Sequence, residues 1–131
     1  MQAETTAKSL PSVMALSYLG DARHALYVRK MLVGRGISRS KELNAMALEY
    51  VTAEAQARLF LRIEGELSEE EKAVFKRAFN SGHLNKPKHA SGKEYRTATG
   101  FEAAIGMLEC QENFERLEYL LDLMHDRGEE D

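Results

Sequence analysis

The sequence predicts an all-α fold, and three observations predict it. Nowhere do four or more residues alternate convincingly in β-branched types. The composition leans towards Ala, Leu, Glu, Lys and Arg, which are strong helix formers. Apolar residues recur at three- and four-residue intervals between recognisable caps and stops. With 131 residues and 44% hydrophobic side chains, the chain is about one domain and long enough to bury a core.

The elements follow in order. Residues 1–10 read as a loose lead-in, and residues 128–131 as an acidic tail. A first helix starts near Pro11–Ser12 and runs towards Val33, where "GRG" stops it. "SKELNAMALEYV" is a second. Thr52 caps a third, "AEAQARLFLRIEG", with Leu59, Phe60 and Ile63 facing inwards. Ser68 and Glu71 have capping-box spacing and open "EEEKAVFKRAF". "NSGHLNKPKHASGK" is a loop by its Gly, Pro, Asn and Ser content. Two more helices cover about Glu94 to Cys110 and Phe114 to His125, the latter capped by Asn113.

Bulk chemistry narrows the function. A lone Cys110 excludes an internal disulfide and a cysteine zinc cluster, so a reducing cytoplasm is the expected home. No apolar run approaches the roughly 20 residues of a membrane span, and the opening lacks a signal-peptide core. The net charge is −3, but it is segregated. From Lys76 to Arg96 the net charge is +5, and from Glu109 to the end it is −7. A local basic surface is therefore expected.

Three motifs reduce to bland readings. "GRG" at 34–36 follows no strand and reads as a helix stop, not a phosphate loop. The acids of "ELSEEEK" suit a helix N-terminus better than a nucleotide-pyrophosphohydrolase metal site. The histidines at 24, 83, 89 and 125 form no zinc-type pair in sequence.

Asp21 survives. Met14, Tyr18, Ala25, Val28 and Leu32 follow the helical period as an apolar stripe, and position 21 completes it. A carboxylate there must be paired, hydrogen-bonded or metal-bound. A salt bridge to another helix is the plainer alternative. In "YRTATGFEAAIGMLE", however, Glu102 adjoins the stripe of Phe101, Ile105 and Leu108 in a similar small-residue setting. Gly20, Ala22, Ala103 and Gly106 would let the two helices approach closely. Two acids in one shallow cleft, with room for water, suit Mg²⁺.

The same stretches resemble a known family. "YLGDA" followed by an apolar helix resembles the core of the ribonuclease III signature, and "GFEAAIG" its second motif. With the basic segment "FKRAFNSGHLNKPKHASGKEYRTATGFEA" in order, the resemblance runs from about Val13 to Leu123. It points to the mini-ribonuclease III class, a catalytic domain without a separate double-stranded-RNA-binding domain, here expected over residues 11–127.

That resemblance implies an all-helical homodimer that cleaves double-stranded RNA in a valley, with Asp21 and Glu102 binding Mg²⁺ and Mn²⁺ able to substitute. It implies a bacterial cytoplasmic enzyme that matures precursor large-subunit (23S) ribosomal RNA; whether a ribosomal protein assists is left open. Full-length relatives carry further acids where Ser17 and Thr99 stand, a reduced set that fits the mini class. Arg77, Asn80, Lys86, Lys88, Tyr95 and Arg96 are the expected RNA contacts, since A-form duplexes are read through phosphates and 2′-hydroxyls. A catalytically silent RNA-binding dimer and an all-α nucleotide pyrophosphohydrolase are the rival readings.

Overall fold

Five of the six α-helices among the described residues start at a side-chain cap, and only the second lacks one. The computed structural model describes residues 10–81 and 91–127, with no strand among them. Helix α1 spans Val13–Gly34, and the Ser12 hydroxyl accepts the Ala15 N–H at 3.1 Å. Helix α2 is Ser40–Val51, and α3 is Ala53–Phe60, capped by Thr52. Helix α4, Glu69–Phe79, opens with the expected Ser68–Glu71 capping box. Helix α5, Gly92–Cys110, opens with a second box, Ser91–Glu94, so it starts two residues earlier than expected. Helix α6 is Phe114–Met124, with Asn113 as its cap.

Helix α3 is shorter than its periodicity suggests. The N–H groups of Arg62 and Ile63 bond three residues back, to Leu59 and Phe60, so the helix end tightens and passes into a 3₁₀ turn at Glu64–Glu66. Ile63 is still buried, because the tightened turn carries it round to the core.

Helix α5 is the central element and packs on α1, α3, α4 and α6. Its "GFEAAIGM" run is small or apolar apart from Glu102, and the other seven residues of that run are buried. Polar clamps fix the outer helices. Arg23 of α1 reaches Glu109 of α5 at 3.0 Å and Glu118 of α6 at 2.6 Å. Arg116 of α6 grips both oxygens of Glu71 at 2.9 Å and the Glu66 carbonyl at 2.6 Å. Two of the acids at 66–71 are thus occupied by capping and by α6: Glu71 closes its box, and Glu66 accepts from the Tyr119 hydroxyl at 3.1 Å.

One sequence expectation needs correcting. The buried face of α1 is Leu16, Ser17, Gly20, His24, Tyr27, Val28, Met31 and Leu32. Val28 and Leu32 belong to it, but Met14 and Tyr18 are exposed, Tyr18 at 84%. Asp21 is exposed as well, at the margin of that face. The true stripe is rotated towards positions 17, 20 and 24, and it escaped notice because Ser, Gly and His occupy them.

Candidate active site

Helices α1, α3 and α5, with the end of α2, build one open groove of about 360 Å³. Helix α1 contributes Met14, Ser17, Tyr18 and Asp21, one face at i, i+3, i+4 and i+7. Helix α5 contributes Tyr95, Ala98, Thr99 and Glu102 with the same spacing. Gln56 comes from α3, with Val51 and Ala53 beside it. The helices come this close because two glycines lie at the α1–α5 crossing. A Cβ on Gly20 would collide with the Glu102 carbonyl, and one on Gly106 with the Leu16 carbonyl. The small residues read from the sequence do bring Asp21 beside Glu102. Ala22 takes no part, since it is exposed.

The electrostatics of the groove centre on Glu102. Burial, the neighbouring Asp21 charge and a hydrogen bond shared with Asp21 push its carboxyl up to about 8. Hydrogen bonds from Gln56 and Ser17 oppose the rise, the Ser17 hydroxyl donating to Oε1 at 3.2 Å. None of the ion pairs among the described residues includes Asp21 or Glu102. Two carboxylates therefore share one groove without a protein cation, an arrangement a divalent ion would relieve. Among the described residues no three His, Cys, Asp or Glu side chains converge. The donor set is two carboxylates with neighbouring hydroxyls, hard oxygen chemistry of the kind Mg²⁺ and Mn²⁺ accept.

The hydroxyl positions differ in use. Ser17 contacts Glu102 directly, whereas the Thr99 hydroxyl donates to the Tyr95 carbonyl at 2.9 Å, back into its own helix. Tyr95 lines the groove half-buried, and burial together with the Glu102 charge pushes its phenol up. Of the other expected RNA contacts, Arg77 is exposed on α4, and Asn80 is exposed as the C-cap of α4. Arg96 is exposed at the start of α5, with its guanidinium 5.3 Å from the Phe79 ring centre. Lys86 and Lys88 lie outside the described residues.

Sequence reasoning missed Gln56 and the partner of His24. Gln56 is 1% exposed, and its Nε2 lies 3.0 Å from His24 Nδ1. His24 Nε2 in turn lies 2.8 Å from His125 Nε2. A signal for Gln56 existed: with Leu59, Phe60 and Ile63 it occupies i, i+3, i+4 and i+7, so it is a polar residue on an apolar stripe. No spacing rule joins His24 to His125, which are 101 positions apart.

The ribonuclease III domain family model matches residues 14–113, most of the chain and the whole of the groove. The chain belongs to the ribonuclease III family. The mini-ribonuclease 3 of Streptococcus pneumoniae (strain ATCC BAA-255 / R6) is 42% identical over 110 residues, which cover 82% of this chain and 86% of that one. The mini-ribonuclease 3 of Enterococcus faecalis (strain ATCC 700802 / V583) is also 42% identical over 110 residues, covering 82% and 83%. A crystal structure of a Fusobacterium nucleatum protein superposes with a TM-score of 0.80 at 30% identity, covering 88% of this chain and 92% of that one. As a ribonuclease III family member the protein is an endoribonuclease, in a family that acts on double-stranded RNA and generally uses a divalent metal. Among the described residues no helix is long and apolar enough to cross a membrane.

Proposed function

We propose that this ribonuclease III family protein cleaves double-stranded RNA in a Mg²⁺-dependent reaction at the Asp21–Glu102 groove. The observation that carries the reading is the pair of acids, brought together by the Gly20–Gly106 crossing and left without a protein cation. Asp21 and Glu102 would hold the ion, and Mn²⁺ would serve in its place. When bound, the cation supplies Lewis-acid activation of the attacking water and offsets charge building on the phosphate. Ser17 holds one Glu102 oxygen and limits its rotation. Tyr95 and Thr99 shape the wall along which a backbone would lie. Water attack on phosphorus with loss of the 3′ oxygen leaves a 5′ phosphate and a 3′ hydroxyl.

The RNA contacts we propose are Arg77, Asn80, Lys86, Lys88, Tyr95 and Arg96, in the stretch of net charge +5. Tyr95 joins this set to the groove, since it lines the same wall as Glu102. The catalytic domain is taken as residues 11–127. A homodimer is part of the reading. Met14, Tyr18, Ala22, Leu26 and Val33 are exposed on one face of α1, a largely apolar strip that also carries Arg29 and is suited to a second copy. Precursor large-subunit ribosomal RNA in the bacterial cytoplasm is the proposed substrate, supported by the likeness to mini-ribonuclease 3 proteins.

The test is direct. The purified protein is incubated with a long RNA duplex and a matched single strand, each with Mg²⁺ or with chelator. Cleavage of the duplex alone, and only with Mg²⁺, is the expected result. Duplex binding without cleavage under every metal condition would leave a silent RNA-binding dimer. Hydrolysis of free nucleoside triphosphates would instead favour the pyrophosphohydrolase reading.

A further inference from the structure

The polar groups behind the groove form a line. Gln56 sits on the inward face of α3, lines the groove together with Glu102, whose charged form it favours, and places its Nε2 3.0 Å from His24 Nδ1. Its amide nitrogen carries two hydrogens, enough to serve both. A donor facing His24 Nδ1 requires that nitrogen to be an acceptor, which places the ring proton on Nε2. That proton then points at His125 Nε2, 2.8 Å away. His125 consequently carries its own proton on Nδ1, which is buried and has no hydrogen-bond partner among the described residues. His24 is itself locked, at 0% exposure, edge-on to Phe101 at 5.1 Å and stacked on His125 at 5.0 Å.

We propose that Gln56 is a positioning residue for Glu102, held in register by the buried His24–His125 pair. The inference rests on the metal-site reading above and extends it to three residues that touch no metal. A carboxylate on a helix can rotate about two aliphatic bonds, and Ser17 restrains only one of its oxygens. A second donor, the Gln56 amide lining the same groove and fixed from behind, restrains the carboxyl further. A glutamine is suited to this, because it donates without adding charge beside two acids. In the tautomer with Nδ1 as acceptor, His24 holds the amide N–H towards itself. Burial, with His125 beside it, pushes His24 down to about 3, so this acceptor persists through the neutral range.

The experiment measures Mn²⁺ binding to the full chain without RNA, using wild type, Gln56→Met, His24→Leu, their double variant and Asp21→Asn. Partners that orient a metal ligand typically contribute 10–100-fold in affinity. Gln56→Met and His24→Leu are each expected to weaken Mn²⁺ by about tenfold. The double variant should lose no more than the weaker single, because the two act through one hydrogen bond. Melting of the metal-free proteins checks folding. If His24→Leu fails to fold, Gln56→Asn carries the test; it keeps the amide but draws it back by one methylene, and should also weaken Mn²⁺. Wild-type affinity in Gln56→Met, or fully additive losses in the double variant, would overturn the positioning role. A wild type that binds no Mn²⁺, or an Asp21→Asn variant that binds it unchanged, would overturn the metal site on which the role depends.

Discussion

Gly20 lies against the main chain of Glu102 so closely that a Cβ at position 20 would collide with the Glu102 carbonyl oxygen. This contact, one residue from Asp21, sets the separation of the two acids. The reciprocal contact at Gly106 closes on the Leu16 carbonyl. Backbone atoms cannot rotate away as side chains do, so a methyl group must push α1 and α5 apart. Gly106→Ala is expected to lose at least the roughly 1–3 kcal/mol typical of overpacking. It should also weaken cleavage in the fraction that stays folded. Thermal melting alongside duplex cleavage checks both, and an unchanged melting temperature would contradict the close crossing.

Asp21→Asn removes charge and almost no volume from an exposed position, so the fold should barely respond. Cleavage should fall by orders of magnitude, because a metal-binding carboxylate is lost. Glu102→Gln should fall similarly and recover in part with Mn²⁺. Duplex binding by both variants, followed by gel shift, should remain near normal. Near-normal cleavage by Asp21→Asn at saturating Mg²⁺ would end the proposed mechanism.

The pH response of the metal-free protein follows from two opposite shifts. Glu102 is raised to about 8 by burial and Asp21, so the folded state keeps a proton that the unfolded chain loses from about 4.5 upwards. This group therefore lowers stability as pH rises through that window. His24 and His125 are lowered by burial, to about 3 and about 4, so their contribution is intact above 6.5 and is lost as pH falls below it. Metal-free stability should peak near the middle of the range and fall on both sides. Metal competes with the Glu102 proton, so added Mg²⁺ should stabilise more at pH 8 than at pH 6. Melting curves across pH, with and without Mg²⁺, decide it; a larger Mg²⁺ effect at the lower pH would contradict the assignment.

Replacing Arg77, Lys86, Lys88 and Arg96 with Ala should weaken duplex binding and flatten its salt dependence. Each lost phosphate contact removes roughly 0.7 to 0.9 from the log–log slope. Arg77 and Arg96 are exposed, so the fold should tolerate their loss apart from the Arg96–Phe79 contact. On an Asp21→Asn background, an unaltered slope would show that RNA binds elsewhere.

Tyr18 and Leu26, 84% and 49% exposed, are the probes of the proposed dimer. A Tyr18→Glu, Leu26→Glu pair would bury two charges in the interface and should shift the protein to monomer in sedimentation. Each chain should stay folded, since neither side chain belongs to the core. Persistence of the wild-type sedimentation coefficient would place the contact on another face.

The sequence by itself determined the helices, because caps and stops act over three or four residues. Ser12, Thr52, the Ser68–Glu71 box and Asn113 do what their local chemistry dictates. It also marked Asp21 and Glu102 as acids beside apolar faces, although the burial cost that singled out Asp21 does not apply to it, since it stands exposed. What surrounds those acids was decided by tertiary structure alone. The face that α1 buries depends on where α5 crosses it, and that crossing is set by backbone contact at Gly20 and Gly106, not by an apolar stripe. Asp21 consequently stands at the rim of the groove instead of inside the core. The Gln56–His24–His125 line joins residues up to 101 positions apart, and only the packing of α1, α3 and the end of α6 brings them within hydrogen-bonding distance. Local rules cannot see such pairs, because a hydrogen bond depends on distance in space and sequence patterns report only distance along the chain.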